Sequence, residues 1–364
     1  MALREADHAG SWYSDNGPQL AQQLDQWLSK PSSDLPLPGA RVVISPHAGY
    51  AYSGPAAGYA YKALDLSQAK RIFILHPSHH HHLSTAALPV VQGYLTPLSS
   101  EPLPLDLDLL SQLSSVTAMT SQNRQFRFTT MSKEVDEAEH SCEMQLPYLH
   151  RLLQKLYPEQ PASSYPPLVP IMIGGTSPAT EKALGQILAP YIADSTNVFV
   201  ISSDFCHWGS RFGYTYYVPN APSPAVDPDS LPNGLTNPSS DGPLHAQTSI
   251  SKGISLRSSK DVSNGGPQIH DSIAHVDRAC MCAIATGSHD AFLSILQGTG
   301  NTVCGRHPIG VFLAGVEELE KSAETEAAAE DLKRRFRFMR YERSSDVKSV
   351  RDSSVSYVSA FAVL

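Results

Sequence analysis

The sequence predicts an α/β fold: a single domain with a mixed central β-sheet flanked by helices. Short apolar runs without alternation recur along the chain, helical stretches separate them, and several of the runs lead directly into polar, histidine-bearing motifs. Arg41-Val42-Val43-Ile44-Ser45, Arg71-Ile72-Phe73-Ile74-Leu75, Leu168 to Ile173 and Asn197-Val198-Phe199-Val200-Ile201 are the clearest runs. Each is short and apolar throughout, the pattern of a strand covered on both faces. Helices are predicted over Ser11 to Leu28, Glu137 to Leu156 and Pro178 to Ala193. Strands near Val90 and over Val355 to Val363 can run antiparallel, which would make the sheet mixed. Farther on, Ser288 and Asp290 suit the first turn of a helix ending near Gly298.

Composition sets the bounds. The 364 residues are 41% hydrophobic and 17% charged, enough apolar material for one large core, so residues 1–364 are taken as one domain. Val218 to Gly266 interrupts the pattern, being rich in Pro, Ser, Gly, Asn and Asp with few large apolar residues. Such a segment cannot bury enough surface to offset its ordering entropy, and it is predicted to be a disordered insertion. Ser322 to Arg340, with the basic cluster Lys333-Arg334-Arg335, is predicted to be a solvated helix face. The formal net charge of −8 argues against nucleic-acid binding, which needs a basic surface. No apolar run has membrane-spanning length, and the N-terminus lacks the basic-then-apolar order of a signal peptide. Five cysteines, an odd and sparse set, point to reduced thiols and a cytoplasmic or nuclear location.

The chemistry concentrates at strand ends. The first run opens into Ser45-Pro46-His47-Ala48-Gly49-Tyr50, the second into His76-Pro77-Ser78-His79-His80-His81-His82, and the fourth into Ser202-Ser203-Asp204-Phe205-Cys206-His207-Trp208. In open α/β sheets ligands bind beyond the carboxyl ends of the strands, so parallel neighbours would bring these loops together. Glu139-His140-Ser141-Cys142-Glu143 begins a predicted helix on which His140 and Glu143 share a face. Cys304-Gly305-Arg306-His307-Pro308 precedes another, placing Cys304 near a helix N-terminus, where a thiolate is favoured. Two imidazoles and a thiolate would make a soft site with an open position. The histidine run leaves open which of His79 to His82 would bind. Asp204 and His207 form a strand-end acid and imidazole pair suited to proton transfer. Cys206, Cys280 and Cys282 read as small buried hydrophobes.

Together these motifs resemble the Memo family. Arg4-Glu5-Ala6-Asp7-His8-Ala9-Gly10-Ser11-Trp12-Tyr13 is similar to the family's opening. Pro46 to Tyr50, Pro77 to His80, Glu139 to Ser141 with Glu143, Ser202 to Trp208, Cys304 to Gly310 and Asp352 to Tyr357 follow in family order. They span nearly the whole chain outside the insertion. The resemblance is nearest to the eukaryotic branch, named for a mediator of receptor-tyrosine-kinase-driven cell motility. His76 before Pro77, where the family commonly has Gly-Pro-Ser-His, and the additional His81 and His82 depart from the pattern.

The resemblance implies a fold like the class III extradiol dioxygenases, which hold iron with two histidines and a carboxylate. Carried over by motif, His47 and His79 are the histidine ligands, Cys304 takes the carboxylate's place, and His207, with Asp204 beside it, is the proton-transfer residue. A thiolate there favours copper or zinc and is itself oxidisable, which argues against ordinary ring cleavage. Three functions compete. The foremost is a metal-binding, redox-related protein holding copper or iron, with zinc as the alternative ion, and acting in signalling, motility or metal homeostasis. The second is an adaptor for a phosphotyrosine peptide or signalling protein, framed by Trp12, Tyr50, Tyr52 and Arg306. The third is an active non-haem iron dioxygenase.

Overall fold

The computed structural model describes residues 2–32, 34–222, 231, 250–258, 262, 265–322 and 334–364. Its centre is a nine-stranded mixed sheet. In chain order the strands are β1 (Ala40–Ser45), β2 (Arg71–Pro77), β3 (Ala86–Pro89), β4 (Thr129–Met131), β5 (Leu168–Ile173), β6 (Asn197–Ser202), β7 (His207–Trp208), β8 (Arg337–Arg343) and β9 (Ser354–Val363). Their spatial order is β7-β9-β1-β6-β2-β5-β3-β4, with β8 also paired to β9. The block β1-β6-β2-β5 is parallel, with Val43 opposite Val200, Phe199 opposite Phe73 and Ile74 opposite Pro170. These are the four apolar runs of the sequence. Strands β1, β5 and β6 are buried at every position, because helices cover both faces. Antiparallel pairing of β9 with β1 and of β3 with β5 makes the sheet mixed.

The helices Pro178–Ala193 and Arg306–Ser322 cover one part of the sheet and lie unusually close to each other. Small residues permit the approach: a Cβ on Gly185 would fall 2.6 Å from the backbone nitrogen of Gly315. The predicted helix over Pro178 to Ala193 has the bounds expected. Ser177 caps it by accepting from Thr180 N, and Pro178 occupies the first turn.

Other boundaries differ, for local reasons. The first helix runs from Gly17 to Leu28 and not from Ser11. Asn16 caps it, its Oδ1 accepting from Gln19 N at 3.0 Å, and residues 11–15 form turns leading into it. The single helix predicted over Glu137 to Leu156 is three pieces: Lys133–Ala138, His140–Glu143 and Leu146–Leu156. Glu139 breaks it, with extended backbone (φ −90°, ψ 113°) and a side chain that caps Ser141 N. Val90 lies just beyond β3 and is exposed. The helix at Ser288 begins as predicted, with Ser288 accepting from Ala291 N, and it runs to Thr299 before Gly300 turns left-handed. Of the segment 218–266, residues 223–230, 232–249, 259–261 and 263–264 lie outside the described residues, as does 323–333 of the charged stretch. Within the described part, Ile254–Ser255 pairs with Tyr216–Tyr217. Cys206, Cys280 and Cys282 are buried, and all five cysteines are free thiols. Among the described residues no helix is long and apolar enough to cross a membrane.

Candidate metal centre

Because β1, β6 and β2 are parallel neighbours, the loops that follow them open at the same end of the sheet. His47 follows β1, Asp204 follows β6 and His79 follows β2. The break at Glu139 brings His140 to the same place. The ligating atoms of His47, His79 and His140 all lie within 4.8 Å of one another. The His79 and His140 rings stack with centroids 4.5 Å apart, and His47 meets both edge-on at 5.1 and 5.4 Å.

Hydrogen bonds fix which nitrogen of each ring is free. Ser202 gives its hydroxyl hydrogen to the Ser141 carbonyl at 2.8 Å. Its oxygen is therefore an acceptor for His47 Nδ1 at 2.8 Å, and Gln145 Nε2 donates to the same oxygen at 2.9 Å. His47 thus carries its proton on Nδ1, leaving a lone pair on Nε2, which is buried and has no hydrogen-bond partner. His79 Nδ1 donates to Glu139 Oε1 at 2.8 Å, which frees its Nε2 in the same way. A histidine whose second nitrogen is engaged by a carboxylate or hydroxyl is the usual arrangement of a metal ligand. His140 makes no hydrogen bond through its buried Nδ1, and Trp12 stacks on its ring at 4.4 Å.

Burial disfavours charge on His47 and His140. Burial, and then the neighbouring His79 and His140, push His47 well below the ordinary histidine range. Burial and His79 bring His140 down to about 3. Burial alone would raise the Glu139 carboxyl, but the hydrogen bond and charge of His79, together with His76 and His140, hold it well below the usual range. Three imidazole donors, one of them backed by the Glu139 carboxylate, fit a divalent transition-metal ion, and the orphaned buried nitrogens of His47 and His140 are the atoms such an ion would satisfy.

The remaining predicted site residues surround this cluster. Asp204 is buried and accepts His47 N at 2.8 Å, so it fixes the loop that carries His47. His207 donates Nδ1–H to the Phe205 carbonyl at 2.9 Å, leaving Nε2 as its basic atom. Cys304 lies beside His207, with Sγ 3.8 Å from Nδ1 and 3.7 Å from Nε2, and its backbone N–H is held by the Asp204 carbonyl at 3.1 Å. The sulfur is outside the ion-sized group that His47, His79 and His140 form. Burial, with Asp204 and Glu139 near, pushes its thiol up, opposite to the thiolate expected from the helix N-terminus. Glu143 lies in the same short helix as His140, and both neighbour His8, whose ring centroid is 6.0 Å from that of His140. Glu143 accepts from Arg4 Nη1 at 2.6 Å, Tyr13 Oη at 2.8 Å and both His8 N and Nδ1. Tyr50 is buried, and its hydroxyl is spent on the Met144 carbonyl at 2.7 Å. Tyr52 and Arg306 are exposed. Of the histidine run, His79 joins the cluster, His80 approaches His140 at 5.9 Å between centroids, and His81 and His82 are exposed. The sequence reading did not single out Glu139, Ser202 and Gln145 for these supporting roles. Glu139 stood next to His140 in a quoted motif, and Ser202 stood two residues before Asp204.

A mixed central sheet flanked by helices defines an α/β fold of the extradiol-dioxygenase-like type, and the histidines at the carboxyl ends of its strands could hold a metal ion. The sequence profile of the Memo-like protein family matches residues 4–361, and the chain belongs to that family. It is 38% identical to Protein MEMO1 of Homo sapiens over 358 residues, covering 98% of this chain and 96% of the relative. It is 38% identical to a MEMO1 family protein of Schizosaccharomyces pombe over 362 residues, covering 100% and 99%. Protein MEMO1 of Danio rerio is 37% identical over 365 residues, covering 100% and 98%.

Proposed function

We propose that this chain is a metal-binding, redox-related Memo-like protein that holds one copper or iron ion, with zinc as the alternative, through His47 and His79. The observation that carries the reading is the buried His47 Nε2, which has a forced lone pair and no partner and belongs to an ion-sized group with His79 and His140. Cys304 is the sulfur donor expected from the resemblance, with its backbone N–H on the Asp204 carbonyl and its sulfur beside His207. A copper or iron ion bound there would supply one-electron redox chemistry at an open coordination position. The chain's own residues do the rest. Ser202 and Glu139 hold the two imidazoles in the ligating tautomer. Asp204 secures the His47 backbone. His207 Nε2 can take up or return a proton at the rim of the site.

The test is metal analysis of protein purified without added ions, followed by titration. The expected outcome is one ion per chain, lost when His47 and His79 are both replaced by Ala. Unchanged stoichiometry in that double variant would overturn the reading.

A second reading, an adaptor for a phosphotyrosine peptide, has one observation in its favour. Arg306 is exposed at the start of a helix, close in sequence to Cys304, and Trp12 lies over His140 at the cluster's edge. Tyr50, buried with its hydroxyl engaged, does not contribute to it. Pull-downs with phosphorylated and unphosphorylated forms of one peptide discriminate, and equal, negligible recovery removes this reading.

A further inference from the structure

We infer that a cavity beside His150 is a second binding site, for an uncharged polyhydroxylated molecule of monosaccharide size, with His150 Nε2–H as the donor at its floor. The inference is independent of the metal-site reading.

The cavity has a volume of about 420 Å³. Small-molecule sites span about 300–1,000 Å³. It lies between the hairpin formed by Gly93–Thr96 and Ser99–Pro104, the helix Leu146–Leu156 and the turn Ala162–Ser164. It shares no lining residue with the histidine cluster.

His150 is 1% exposed, and Thr96 fixes its tautomer. Thr96 Oγ1 accepts from Leu98 N at 3.3 Å and lies 2.6 Å from His150 Nδ1. Thr96 is buried, and among the described residues its own hydrogen has no acceptor but His150 Nδ1. His150 therefore carries its proton on Nε2, and that buried N–H has no partner among the described residues. Burial brings the ring down to about 4, so it is neutral and offers a single donor. With Nδ1 turned to Thr96, the Nε2 edge is the one left for the cavity that His150 lines. A buried donor without a partner is costly, and an oxygen brought into the cavity removes that cost.

The other walls select the ligand. Arg151 holds Asp25 at 2.8 and 2.5 Å, Lys155 holds the same carboxylate at 2.7 Å, and Glu101 stands exposed at the rim. Two cations and two carboxylates cancel, which leaves no net charge to attract an ion. Glu101 accepts at one side of the cavity while His150 donates at the other. Hydroxyl groups can answer both, since each donates and accepts. Leu98, Pro161, Ala162 and the Tyr165 ring supply apolar faces for the C–H side of a sugar ring. Tyr165 is fixed by stacking on Tyr157 at 5.9 Å and by its edge contact with His150 at 6.1 Å.

The experiment uses the full chain and three probes of one shape: glucose, its acid glucuronate and its amine glucosamine. Selective nitrogen-15 labelling of histidine reports ring tautomers and shifts, and the His150 signal is the one that His150→Phe removes. Ligand-observed saturation transfer gives affinities. The expected result is an Nε2–H tautomer whose signal moves with glucose and not with the two charged probes. Glucose affinity should fall about tenfold in His150→Phe, the effect of losing one hydrogen bond. Glu101→Ala, at an exposed position that does not threaten folding, should weaken glucose about threefold or more. An Nδ1–H tautomer at His150 overturns the inference. So does a His150 signal that no probe moves, which would mean a cavity holding water only. A stronger response to either charged probe, or wild-type glucose affinity in Glu101→Ala, overturns it as well.

Discussion

The Ser202 hydroxyl accepts the Nδ1–H of His47 at 2.8 Å while giving its own hydrogen to the Ser141 carbonyl. Ser202 ends β6, His47 follows β1, and Ser141 belongs to the short helix His140–Glu143. One hydroxyl therefore ties three separate segments and decides where the His47 lone pair points.

Replacing Ser202 with Ala is expected to weaken metal binding about 10- to 100-fold, the usual effect of losing a partner behind a ligand. His47 would no longer be fixed in the Nδ1–H tautomer. Chelator competition measures the loss, and wild-type affinity in Ser202→Ala would show that the tautomer is set by something else.

Glu139→Gln tests the second support. The carboxylate accepts from His79 Nδ1, from His79 N at 2.6 Å and from Ser141 N at 2.9 Å. An amide oxygen in place of Oε1 can keep the bonds from His79 Nδ1 and Ser141 N, but the amide nitrogen cannot accept from His79 N and the charge is lost. Metal affinity should fall about tenfold or more, with His79 the ligand affected. Isothermal titration of both proteins with Zn(II) provides the comparison.

Arg4 lies 0% exposed, with Nε on Asp136 Oδ1 at 3.0 Å and Nη1 on Glu143 Oε2 at 2.6 Å. Arg4→Met would leave two buried carboxylates without their cation. Removing one partner of a buried ion pair costs about 3–5 kcal/mol. Urea denaturation at neutral pH should show a loss of that size. A change below about 1 kcal/mol would mean that the carboxylates find other partners, since that is the scale of an exposed pair.

Glu181 joins three helices through His289 Nε2 at 2.6 Å and His307 Nδ1 at 2.7 Å. Burial would raise its carboxyl, but the two histidine hydrogen bonds outweigh burial and hold it below the ordinary range. A carboxyl lowered in the folded state stabilises the protein above its unfolded pKa of about 4.3, and that contribution is lost as pH falls through the lower folded value. Glu181→Gln should therefore be less stable than wild type at neutral pH, with the gap narrowing in acid below about pH 4. Denaturant midpoints measured across that range check the sign, and a constant gap would contradict it.

Much of this molecule was legible in the order of its residues. The strands β1, β2, β5 and β6 are continuous apolar runs, and a run apolar on both faces has no stable place except inside a covered sheet. The motifs that follow three of them were visible because polar residues crowd where a strand stops. His47 and His79 were found in this way, and the structure brings their rings together. The motif around His140 was equally visible, but not the position of its ring beside theirs.

What local pattern could not supply was decided at long range. Helical periodicity continues through Glu139, and the break there goes with a local cap on Ser141 N together with the bonds that its carboxylate makes to His79, 60 residues away. Ser202 looks like any strand-end serine until His47 and Gln145 arrive on it. Cys304 is a free thiol near a helix start in the sequence, yet in the fold burial, with Asp204 and Glu139 near, favours its neutral form, and its sulfur lies beside His207. Periodicity and strand-end polarity are short-range properties written in consecutive residues. Tautomers, buried charges and the meeting of donors depend on which distant segments share a few ångströms of space, and packing alone fixes that.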